Sequence, residues 1–153
     1  TAPASFSFDR RFVFERVRGE ALAAATLHVY DPRNCRRLTS IRIAGGRIVD
    51  ADVRDRQIAV ATRDADGNRK LRLYSFRGRQ LAETTIGANV EIGFAPDGKS
   101  LLNFDLSDQA DAGRGIWAVP RLTRAAAPAW ASAHESTFVT AARFIKRYAG
   151  DSL

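Results

Sequence analysis

The sequence predicts an all-β fold of about three four-stranded antiparallel units, and two repeated patterns carry this prediction. In the first pattern an acidic turn residue leads into an apolar strand, with spacings of 46 and 42 residues, at Asp9, Asp55 and Asp97. In the second, a short run rich in apolar residues keeps the same period, at 27–30, 71–74 and 116–119. Strands and turns repeated at this period are typical of the blades of a β-propeller.

Each unit is expected to hold four strands joined by tight turns, and the middle unit shows the reasons best. Small and β-branched residues at 57–62 indicate a buried strand. Residues 64–68 close a hairpin, because Gly67 supplies the positive φ that such turns need. The polar character of 80–86 suits an outer edge strand. We therefore expect strands in this unit at 48–53, 57–62, 70–76 and 80–86.

The two outer units follow the same template. Strands are expected in the first unit at 5–8, 11–17, 26–30 and 37–43, and in the third at 90–95, 99–104, 115–119 and 125–130. Gly45, Gly46 and Gly87 fall between units, where the chain must turn back. The repeat region therefore covers 1–130, and its units lie at about 5–46, 47–87 and 88–130.

The tail at 131–153 changes to helical spacing. Ser132 and Glu135 form a capping-box pattern, and Gly150 suits a position just past a helix end. The apolar residues that recur on one helical face are Phe138, Ala141, Ala142, Ile145 and Tyr148. We expect an amphipathic C-terminal helix of about four turns. It would cover a sheet face or edge, dock to a partner or lead into a further domain.

One motif carries a family resemblance. The run at 94–102 is Phe-Ala-Pro-Asp-Gly-Lys-Ser-Leu-Leu, which resembles the F-S-P-D-G-K-x-L signature of WD40-like propellers of the TolB type. The run at 6–14 is a degenerate copy of it. The resemblance covers roughly 5–130 and implies propeller blades. It does not imply one activity, because such blades occur in scaffolds, peptidases, lyases and ligand sensors.

Three blades do not close a ring, since propellers usually have about four to eight. Two chains could pair into a six-bladed ring. The chain could instead be one part of a propeller whose other blades belong to another polypeptide. As a third alternative, the sheets could stand as an open array capped by the C-terminal helix.

Composition limits the partners. The net charge is +7, and 21 of the 24 basic residues are arginine. The longest basic runs are pairs, and no aromatic residues interleave with them as in single-strand binding platforms, so we expect no nucleic-acid ligand.

No apolar run approaches the roughly 20 residues of a membrane helix, so we expect a soluble protein without a membrane span. The composition, which is rich in Arg and Ala, suits a high-GC bacterial source, in either the periplasm or the cytoplasm.

Metal and catalytic motifs are weak. Asp64, Asp66 and Asn68 match the first half of a calcium loop, but Ser75 stands where the bidentate Glu belongs, so a hairpin turn is favoured. The irregular spacing of the other acidic group, Asp105, Asp108 and Asp111, favours a solvated loop. His28 is expected on a strand that faces solvent or a neighbouring blade. His134 does not continue into a zinc motif, and Cys35, the one cysteine, is expected in a turn, at the surface or half-buried.

These observations favour a non-catalytic interaction module that binds another chain or another copy of itself, without a cofactor. The residues assigned to its interaction surface are Trp117, Trp130, Leu73, Arg47, Phe138 and Ile145. Inter-blade packing is the main role expected of Trp117. The alternative is part of a propeller enzyme of the hydrolase or lyase class, with its site at the central funnel. There Arg47 would bind an anionic group of the substrate.

Overall fold

The structure is a computed structural model that describes residues 4–7, 11–18, 24–87, 91–95, 97–104 and 115–125. These residues form three four-stranded sheets, in which every strand pairing of the described residues is antiparallel. Within each sheet the strands are neighbours in chain order, so each sheet is a meander. This confirms the all-β prediction. The predicted C-terminal helix lies outside the described residues.

The strands follow the template that the sequence predicts. The first sheet contains β1 (Ala4–Phe6), β2 (Val13–Arg18), β3 (Ala24–Asp31) and β4 (Arg36–Ala44). The second contains β5 (Arg47–Arg54), β6 (Gln57–Arg63), β7 (Arg69–Ser75) and β8 (Gln80–Ile86). The third contains β9 (Glu91–Phe94), β10 (Ser100–Phe104), β11 (Gly115–Ala118) and β12 (Thr123–Arg124).

The last strand differs from the prediction, which placed it at 125–130. The chain reverses soon after β11 in a tight turn, in which the Leu122 N–H donates to the Ala118 carbonyl at 2.8 Å. Thr123 then pairs with Ala118 and Arg124 with Trp117. The fourth strand therefore begins earlier than the apolar pattern indicates, and 126–130 lie outside the described residues.

The core of the described residues lies in two layers, one on each side of the second sheet. Strand β6 shows why, since Ile58 and Val60 belong to the first core cluster and Ala59 and Ala61 to the second. The first cluster also contains Phe14, Leu27, Val29, Ile41 and Ile43 of the first sheet. The second contains Ile92, Phe94, Leu101 and Trp117 of the third sheet. Full burial of one such side chain contributes about 1.5–3 kcal/mol.

Two aspartates join the inner edges of the second and third sheets. Strands β5 and β9 are edge strands of their sheets. The Ile92 N–H donates to Oδ2 of Asp50 at 2.8 Å, and the Phe94 N–H donates to Oδ2 of Asp52 at 2.7 Å. These carboxylates satisfy edge N–H groups that would otherwise lack a strand partner. They therefore fix how the third sheet sits against the second.

Two arginines tie the first sheet to the second. Nη1 of Arg16 donates to the Val49 carbonyl at 2.6 Å, and Nη1 of Arg72 donates to the Ala44 carbonyl at 2.6 Å. Nε of Arg72 also donates to Glu83 at 2.7 Å. Hydrogen bonds from Lys70 and Arg72 hold the pKa of Glu83 below its ordinary value. Part of the arginine content therefore serves the packing of the sheets.

Candidate interaction surfaces

The outward face of the first sheet carries a mixed set of side chains. Register places on one face of β2 and β3 the residues Val13, Glu15, Val17, Thr26, His28 and Tyr30, none of which belongs to either core cluster of the described residues. The Tyr30 hydroxyl donates to Glu15 at 3.0 Å, and the rings of His28 and Tyr30 meet edge to face at 6.3 Å. Burial and then the Glu15 hydrogen bond raise the pKa of Tyr30.

The outward face of the third sheet is more apolar. Leu102 pairs with Gly93 on one side and with Ile116 on the other, and Ser100 pairs with Ala118. Leu101 and Trp117 alternate with these residues and point toward the second sheet. Neither core cluster of the described part of the chain includes Leu102, Ile116 or Ser100. The first and third sheets therefore each contribute only one face to the described core.

The residues predicted for the interaction surface lie in different environments of the structure. Leu73 is 0% exposed and lies in the second core cluster, so its assignment to an exposed face is wrong. The reason is that its side of β7 packs against the third sheet. Trp117 is 9% exposed and belongs to the same cluster, as expected for inter-blade packing, so its assignment to an exposed interaction surface is wrong as well. The other predicted surface residues, Trp130, Phe138 and Ile145, lie outside the described residues.

Arg47 is exposed and is the first member of a row of three arginines. It pairs directly with Arg63 of β6, which pairs directly with Arg69 of β7. Directly opposed residues share a face, with Cβ atoms about 4.5–5.5 Å apart, and like charges in such positions repel. None of the three side chains has a hydrogen bond or ion pair to a described residue, and Nε of Arg69 is buried. The arrangement suits a bound anion.

Sequence reasoning missed Arg63 and Arg69 because only the strand register aligns them with Arg47.

The link before Arg47 is also tight. Gly46 has φ +141°, and a Cβ built there would lie 2.5 Å from the Arg63 carbonyl oxygen. A glycine is therefore required where the first sheet passes into the second.

The candidate calcium residues form a hairpin. Both carboxylate oxygens of Asp64 accept from Asn68, at 2.8 Å from its N–H and at 3.1 Å from its Nδ2. The hydrogen bond from the Asn68 side chain contributes most to lowering the pKa of Asp64. Within the described ranges no group of three or more His, Cys, Asp or Glu side chains could hold a metal ion. Cys35 is exposed in the turn between β3 and β4, as expected.

The comparisons with known proteins support the fold. No family model matches the chain. No curated protein matches it. Among solved structures, it is similar to a WD40 β-propeller chain of the crystal structure of the mitotic checkpoint complex, with 13% identity and a TM-score of 0.54. The match covers 79% of this chain and 36% of that chain.

The fold is that of propeller blades. At this identity the likeness concerns the fold alone, and the chain spans about a third of the length of the propeller chain that it matches. Among the described residues no helix is long and apolar enough to cross a membrane. The TolB-type resemblance of the run at 94–102 stays a prediction.

Proposed function

We propose that this chain is a non-catalytic interaction module whose blades, of the TolB type, complete a propeller ring with further blades. The observation that carries the proposal is the pair of outward sheet faces. In a closed propeller each blade packs against two neighbours, whereas here only the second sheet has a neighbour on both sides among the described residues. Apolar side chains such as Leu102 and Ile116 remain outside both clusters, which suits association.

A second copy is the simplest source of the missing blades. The two outward faces differ, so the third sheet of one copy would pack against the first sheet of the other. Two such contacts related by a two-fold axis give a closed ring of six blades. Another chain with compatible blades is the alternative source.

The mass of the chain in solution tests this proposal. Light scattering on a sizing column, over a range of concentrations, should show a dimer. Ile116→Lys places a charge on the outward face of the third sheet and should give a monomer of unchanged fold. Thr85→Lys is the matched control, because Thr85 is exposed on the outer strand β8, and it should still dimerise. A wild-type monomer at every concentration would exclude the second copy and direct the search to another chain.

The arginine row favours a second candidate function, an anion-binding site of a propeller enzyme of the hydrolase or lyase class. Arg47, Arg63 and Arg69 would bind carboxylate or phosphate oxygens of the substrate. Inorganic phosphate should then raise the thermal midpoint of the wild-type chain more than that of Arg63→Gln. An equal shift in both proteins would exclude the row as the binding site.

A further inference from the structure

The first two sheets share an end that is opposite to the arginine row, and a cleft opens at this end. The turns β1–β2, β3–β4, β5–β6 and β7–β8 all lie at this end, because each sheet is an antiparallel meander. The cleft has a volume of about 720 Å³, and its lining residues come from or beside these turns. It lies at the boundary between two sheets, away from the outward faces that concern ring closure.

The floor of the cleft is apolar. The rings of Phe12 and Phe76 meet edge to face, with centroids 5.8 Å apart and planes at 76°. Both rings also pack against the first core cluster. Leu38 lies beside them in the lining and is 41% exposed, which makes it the exposed large hydrophobic side chain of the described residues. An exposed apolar side chain next to a pair of rings is suited to binding another apolar side chain.

The rim of the cleft is cationic. Among the described residues of its lining, three are arginines, Arg11, Arg33 and Arg56, and one is acidic, Asp31. Arg33 forms a bidentate pair with Asp31, with Nε at 3.0 Å and Nη2 at 2.8 Å from its two oxygens. Arg56 is exposed and makes no side-chain hydrogen bond or ion pair to any residue that the structure describes. The rim therefore holds one arginine, Arg56, that no described residue pairs with.

The walls of the cleft are held in place by a tight turn and by hydrogen bonds to backbone carbonyls. Asp55 and Arg56 both have positive φ, +47° and +63°, in the two-residue turn between β5 and β6. The Phe76 N–H donates to the Arg56 carbonyl at 3.2 Å. The Thr39 hydroxyl donates to the Phe76 carbonyl at 2.5 Å and so connects the two sheets. A preformed site loses less conformational freedom when a ligand binds.

We propose that this cleft binds an acidic peptide segment that carries an apolar side chain. The apolar side chain would lie over Phe12, Phe76 and Leu38, and a flanking carboxylate would accept hydrogen bonds from Arg56. A single-stranded nucleic acid fits less well, because the two rings face each other edge to face and offer no stacking platform for successive bases.

Fluorescence anisotropy tests the proposal with a labelled peptide of sequence Glu-Glu-Asp-Leu-Glu-Glu. Two variants address the two halves of the site, Arg56→Glu for the rim and Leu38→Ser for the floor. Because both side chains are exposed, neither change should unfold the chain. Arg79→Glu is the matched control, since Arg79 is exposed on the neighbouring β7–β8 turn but does not line the cleft.

We expect each cleft variant to weaken peptide binding by about tenfold or more, and Arg79→Glu to change it by less than about twofold. Replacing the peptide leucine by serine should weaken binding to the wild-type chain and have little effect on Leu38→Ser. Equal affinities of Arg56→Glu and Arg79→Glu, or no peptide binding by the wild-type chain at about 1 mM, would overturn the proposal. The assigned ligand class would be overturned if an oligonucleotide bound the wild-type chain more tightly than the peptide and if Arg56→Glu abolished that binding. These outcomes do not depend on the mass of the chain in solution.

Discussion

Removal of the Asp52 carboxylate should separate the second and third sheets at their inner edge. Asp52 is 2% exposed, and its carboxylate accepts from the Val53 N–H at 2.9 Å and from the Phe94 N–H at 2.7 Å. In Asp52→Ala the two N–H donors lose this acceptor while they remain buried. Each buried unsatisfied group costs about 1–3 kcal/mol, so the expected loss from the two donors is about 2–6 kcal/mol. That is a large share of a typical free energy of unfolding, about 5–15 kcal/mol.

Urea unfolding followed by tryptophan fluorescence measures this loss, because Trp117 packs between the same two sheets. Asp50→Ala is the matched control. Asp50 is half-buried and accepts from the Ile92 N–H at 2.8 Å, so its removal should cost less than that of Asp52. Asp52→Asn keeps one acceptor oxygen and should fall between wild type and Asp52→Ala. The reasoning is refuted if Asp52→Ala is as stable as wild type, or more stable, since the cost of burying the charge would then exceed the value of its hydrogen bonds.

Three further predictions concern charge, pH and backbone. Arg63→Gln should raise the free energy of unfolding by about 0.2–1 kcal/mol at low salt and by less at 1 M salt, because it relieves repulsion in the arginine row; equal stabilisation at both salts would contradict this. Hydrogen bonds from Arg33 lower the pKa of Asp31 from 3.8 to about 2. Because the pKa of Asp31 is lower in the folded than in the unfolded chain, this stabilisation is present above about pH 4 and is lost as the pH falls toward 2. The thermal midpoint of Asp31→Asn should therefore depend less on pH over this range than that of the wild-type chain. Gly46→Ala should destabilise the chain more than Gly78→Ala in urea unfolding, because both glycines have positive φ but only Gly46→Ala would place its Cβ against backbone. Similar losses of stability in the two variants would contradict this, because they would show that the positive φ alone sets the loss.

The local features of the fold could be predicted from the sequence. The buried strand β6 follows from small and β-branched residues, and the turn at Asp55 and Arg56 follows from the acidic residue before an apolar strand. The hairpin at 64–68 needs Gly67, whose φ is +89°. The fourth strand of the third sheet was placed too late, because the chain reverses through a turn that apolar periodicity does not mark.

The surfaces could be predicted only in part. Alternation along β7 shows that Leu71 and Leu73 share a face, but it does not show that the third sheet covers that face. Arg47 could be singled out beside two glycines, whereas Arg63 and Arg69 join it only through the pairing of three strands. Asp50 and Asp52 read as polar positions of a strand, and their partners lie 42 residues further along the chain.

The sequence by itself determined the repeat, the strands and most of the turns, because these depend on period-two patterning and on residues that favour particular φ values within a few positions. Only the tertiary structure decided which faces are buried between sheets, which carboxylates satisfy an edge strand and which arginines stand in one row. These features join residues that are far apart in the chain, and they exist only once the strand register and the stacking of the three sheets are set.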